Sequence, residues 1–130
     1  MGTRFLATRE SLWTEPRKSL LVAGQGDLTQ QSRLYDTLNS PDWPREFPAR
    51  YLRNATSDRW EGKEATLEAN AEAEQEIYAA LPQDDLAQRL VLAGESVDQV
   101  KDVPSARDVV ERTVADAIAV MHAGTAMLRG

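Results

Sequence analysis

The chain has 130 residues, 42% of them hydrophobic and 28% charged, which is the composition of one globular domain and not of a disordered tail. The net charge of −6 is uneven, with 9 Lys/Arg against 7 Asp/Glu in residues 1–60 and 6 against 14 in residues 61–130; an acidic second half argues against nucleic acid as a main partner. The absence of cysteine excludes disulfides, thiolate zinc sites and cysteine nucleophiles together, and an aromatic content of 6% argues against a compact all-β core.

In chain order, residues 1–7 read as a short strand or strand end, followed by a polar turn at Thr8–Ser11. Pro16 suits the first turn of a helix over Glu15–Ala23, with Gly24 and Gly26 as its stop. From Asp27 to Trp60 the periodicity fails among Pro41, Pro44 and Pro48, leaving room for one short helix around Gln30–Leu38. A stretch this long without regular structure is uncommon unless it packs on a larger body or belongs to a site. Lys63–Leu81 is a helix on propensity, with a thin stripe of Leu67, Ala71, Ile77, Tyr78 and Leu81, ended by Pro82. Asp84 caps a further helix through Ala87, Leu90 and Val91 that stops near Gly94. The last helix, about 103–123, has Val109, Val110, Val114, Ala117, Ile118 and Met121 at amphipathic spacing. The expected architecture is mainly α, with one strand that lacks an evident partner.

No apolar run approaches the roughly 20 residues needed to span a bilayer. No basic stretch followed by a long apolar run marks a secretion signal. A cytoplasmic protein without a membrane partner is therefore expected. His122 is the single histidine and has no visible catalytic partner. Glu64, Glu68, Glu72 and Glu76 fall at i, i+4 steps, a pattern that fits a solvated face better than a metal site. Arg50, Arg53 and Asn54 have the chemistry to bind an anion, although pairing with the abundant acids is the favoured reading. Trp43 and Trp60 read as packing anchors of the irregular segment. Gly94 reads equally as a helix C-cap or as a point of close approach to a ligand.

Gly2-Thr3 is the pair with a direct mechanism for ligand binding, since glycine admits a phosphate to the backbone N–H groups. The string Met1-Gly2-Thr3-Arg4-Phe5-Leu6-Ala7-Thr8, with Glu10-Ser11, resembles the segment after strand 8 of the nitronate monooxygenases. These are FMN-dependent (β/α)8-barrel enzymes, also called 2-nitropropane dioxygenases. Three further segments follow in the family's order. Asp27-Leu28-Thr29 is similar to a return strand, Arg50, Leu52, Arg53 and Asn54 to an Arg-x-Leu-Arg-Asn stretch, and Ala93-Gly94-Glu95-Ser96 with Asp102-Val103-Pro104 to the segment before the last helix. Leu92 departs from the pattern, standing where the family often has an aromatic residue.

The resemblance implies the C-terminal segment of a (β/α)8 (TIM) barrel. Residues 1–11 would be the end of strand 8 and its phosphate-binding turn, 12–100 a mostly helical inserted subdomain, and 101–130 the final barrel helix and tail. It implies FMN as cofactor, a small nitronate as substrate, and cofactor contacts from Met1, Gly2, Thr3, Gly94, Glu95 and Ser96. The family's catalytic histidine lies upstream of the Gly-Thr motif, so no residue here receives a catalytic role. The expectation is a chain that does not catalyse the reaction alone, being a truncation, a start assigned at an internal methionine, or one piece of a split enzyme. The other readings are a stand-alone acidic helical module that binds a protein partner, and another FMN barrel enzyme such as a quinone or enoyl reductase.

Overall fold

A computed structural model describes residues 1–127. The elements are helices α1 (Gly2–Leu6), α2 (Glu15–Ala23), α3 (Leu34–Asn39), α4 (Ala55–Trp60), α5 (Glu64–Ala69), α6 (Ala71–Ala80) and α7 (Ala106–Met127), with strands β1 (Thr29–Gln31) and β2 (Arg50–Leu52). Single 3-10 turns cover Gly26–Leu28 and Glu95–Gln99. The mainly helical reading holds. No helix among the described residues is long and apolar enough to cross a membrane.

The strands pair antiparallel, Thr29 opposite Leu52 and Gln31 opposite Arg50. Residues 91–93 lie along the other edge of β2, through Leu52 N–H to Val91 O at 3.0 Å and Ala93 N–H to Arg50 O at 3.2 Å. Both edges of β2 are therefore taken. The strand expected at 1–7 is instead a one-turn helix, in which Arg4 and Phe5 N–H groups donate to Met1 O at 3.0 and 3.3 Å. This backbone joins no strand and satisfies its polar groups locally. The helix expected through Ala87–Val91 is likewise absent. Turns at 82–89 lead into extended chain, where Val91 and Ala93 are buried and Leu92 is 40% exposed, the period-2 alternation of a sheet residue.

β2 divides the interior. Tyr51 faces a first cluster of Leu34, Tyr35, Leu38, Trp60, Leu67 and Tyr78, while Leu52 packs on a second of Ala7, Leu21, Val91, Ala93, Val97 and Val100. The first cluster centres on α3, which packs against both α5 and α6. This contact explains a third departure from expectation, because the helix expected over Lys63–Leu81 breaks at Asn70. On one straight helix Leu67 and Tyr78 would stand about 16 Å apart, more than the ~9 Å length of α3. Asn70 makes the break, its Nδ2 donating to Thr66 O at 2.8 Å in competition with the helical ladder. The short helix expected at Gln30–Leu38 begins four residues late, because residues 29–31 are spent on β1.

Two polar groups, the half-buried Asn54 and the buried Arg89, hold the first layer together. Asn54 caps α4 in a reciprocal box with Ser57, and also accepts from the Tyr35 hydroxyl at 2.6 Å and donates to Arg89 O at 2.9 Å. Burial raises the Tyr35 hydroxyl well above the ordinary phenol value, against the lowering effect of its bond to Asn54. Arg89 ends α6: its guanidinium donates to the carbonyls of Ala79, Leu81 and Pro82 and stacks 4.7 Å over the Tyr78 ring.

α7 starts on a firm base. Ser105 Oγ accepts from Asp108 N–H at 3.0 Å, the Asp108 carboxylate accepts from Ser105 N–H at 3.2 Å, and Glu10 accepts from Ala106 N–H at 2.9 Å. Val109 is buried, but the rest of the apolar stripe is not: Val110, Val114, Ile118 and Met121 are 45–61% exposed. The helix continues through Gly124 to Met127, beyond the expected end near 123. Its amphipathic face is real in spacing and has no cover among the described residues.

Candidate functional site

The two segments singled out by sequence for cofactor contact meet in space. Gly94 N–H donates to Thr3 Oγ1 at 2.9 Å, across a separation of 91 residues. Gly94 is extended (φ −80°, ψ 165°) and leads into the following 3-10 turn, so it is not a helix C-cap. A Cβ at Gly94 would stand 3.4 Å from Thr3 Oγ1, an ordinary contact with the Thr3 side chain.

Met1 and Ser96 lie on the wall of one cleft of about 640 Å³, between α1, residues 96–102 and the first turns of α7. Arg4, Lys101, Asp102, Arg112 and Asp116 form its charged lining. Asp102 organises the two arginines. Its Oδ1 accepts from Arg4 and its Oδ2 from Arg112 at 2.7 Å, while Arg4 also donates to the Asp102 carbonyl at 2.8 Å. Chiefly through the Arg112 hydrogen bond, and then that of Arg4, the Asp102 carboxyl is held below the usual carboxylate range. Lys101 makes no ion pair among the described residues.

Glu95 points its charge elsewhere, pairing with Arg50 at 2.9 Å. Gly2 stands in open space, with nothing within 4 Å of a Cβ placed on it and no positive φ. The packing therefore gives no reason for a glycine at this position. Of the six residues assigned by resemblance, Met1 and Ser96 share the cleft, Thr3 and Gly94 are bonded, Gly2 adjoins Met1 and Thr3, and Glu95 is engaged with the sheet.

The remaining sequence candidates are structural. Arg53 bridges Asp58 and Glu61, and Arg50 ties Thr29 and Gln31 to Glu95. Trp60 is a packing anchor, but Trp43 is half exposed on the proline-rich loop, its Nε1 donating to Phe47 O at 2.6 Å. His122 is exposed on α7. The glutamates at 64, 68, 72 and 76 are divided between α5 and α6, and no metal-ligating group occurs among the described residues. Sequence reasoning missed the Arg4–Asp102–Arg112 cluster and the Arg89 cap, neither of which has a local signal. The Ser105-x-x-Asp108 box was available as a pattern.

The cleft chemistry suits one end of the implied cofactor. Arg4, Lys101 and Arg112 bring positive charge to the cleft wall, set against Asp102 and Asp116, and Gly2 and Thr3 adjoin the lining residues Met1 and Arg4 in sequence. A phosphate monoester fits this set. The flavin ring does not: Met1, Val100 and Val109 are the apolar lining of the cleft, too little to hold a three-ring system. No protein-family model, curated protein or solved structure matches the chain.

Proposed function

We propose that this chain is the C-terminal part of an FMN-dependent nitronate monooxygenase-like oxidoreductase, not competent alone, with the rest of the barrel supplied by further sequence or by another chain. The observation that carries the reading is the Gly94–Thr3 hydrogen bond, which joins two segments, 91 residues apart, that the resemblance assigns to the cofactor. In this reading Gly2, Thr3, Ser96 and Arg4 hold the phosphate of FMN at the C-terminal ends of the barrel strands. Asp102 fixes the Arg4 guanidinium there. Bound FMN would supply the electron chemistry that converts an alkyl nitronate, with dioxygen, to a carbonyl compound and nitrite. The open face of α7 is then the surface that packs on the barrel.

The test begins with the gene. Barrel-coding sequence in frame upstream of Met1, or in a neighbouring reading frame, is expected. Joined or co-expressed with it, the protein should be yellow, with flavin absorbance near about 450 nm, and should release nitrite from a nitronate. An in-frame stop immediately before Met1 with no barrel sequence nearby overturns the reading.

The exposed α7 stripe also favours a second reading, a stand-alone acidic helical module that binds a protein partner through that face. A colourless chain that purifies as an oligomer and gains no colour with added FMN supports this alternative.

A further inference from the structure

We draw no further inference here: the strongest candidate, the apolar distal half of α7 from Val114 to Met127, carries none because it is apolar on several sides and nothing in the structure shows what covers it.

Discussion

Replacing Val114, Ile118 and Met121 together with Gln tests whether α7 stands free of the body. These side chains are 54%, 45% and 61% exposed, so each is about half covered. Full burial of such a side chain is worth about 1.5–3 kcal/mol, and Gln retains the methylenes that provide much of the local cover. Gln is also a slightly better helix former than Val or Ile. The triple variant should therefore lose less than about 1 kcal/mol in total, the range of ordinary surface substitutions. Val109→Gln on the same helix is the control, because Val109 is only 3% exposed. It loses its burial and places an amide in an apolar setting, which together should cost about 3 kcal/mol. Urea unfolding followed by circular dichroism reads both, with size-exclusion chromatography alongside. A triple variant as damaging as Val109→Gln, while the parent chain is monomeric, refutes the free helix. If the parent chain self-associates and the triple variant does not, the face is exposed and is finding cover in another copy.

Gly26→Ala should destabilise by about 1–3 kcal/mol in the same unfolding assay, since the new Cβ would stand 2.4 Å from the backbone oxygen of Glu95, which has no rotamer to yield. Gly124→Ala, with nothing within 4 Å, should instead strengthen α7 by up to about 1 kcal/mol; equal behaviour of the two glycines would contradict the packing described. Arg89→Met keeps much of the stem over Tyr78 but removes the donors to three carbonyls, and should cost about 2 kcal/mol, seen as a lower urea midpoint; an unchanged midpoint would show that the α6 terminus is solvated. Asp102, Asp108 and Glu61 all have carboxyls held below their ordinary range, by Arg112 and Arg4, by Ser105, and by Arg53 respectively. Such groups contribute stability that is fully present above the unfolded carboxylate value of about 4 and is lost as pH falls through the lower folded values. Melting temperature should therefore be flat from pH 7 to about 5 and fall below about 4, with a shallower fall in Asp102→Asn; because these groups are exposed, a steep fall already complete by pH 5 would be inconsistent with them.

What was legible in the sequence was decided by neighbours within a turn or two. α2 occupies Glu15–Ala23 as expected because Pro16 fixes its start and Gly24 its end. The first residue after Pro104 that can cap does so, and α7 follows. What was not legible depended on partners distant in sequence. Whether 1–7 is a strand depends on a free sheet edge, and β1 and residues 91–93 take both edges of β2. Whether 63–81 is one helix depends on the length of α3, across which Leu67 and Tyr78 must converge. Lys18 on α2 is a further case: it is 3% exposed, with Glu15 at 2.9 Å from its Nζ.

The candidate site divides in the same way, and the division bears on function. Gly2 and Gly94 were visible as glycines, but their meanings separate only in three dimensions. At Gly26 the fold explains the residue, because a carbonyl occupies the space of its Cβ, and no ligand need be invoked. At Gly2 the fold gives no such reason, and the adjoining Thr3 is bonded to the other candidate segment. Gly2 is the first residue of α1, directly after Met1 at the N-cap, and its glycine brings no return in packing. Under the proposed function, close approach of a phosphate oxygen to the backbone would be a return of the right kind. The same absence of cover appears at the other end of the molecule, along α7. Under the proposed function, the barrel would pack on that face of α7.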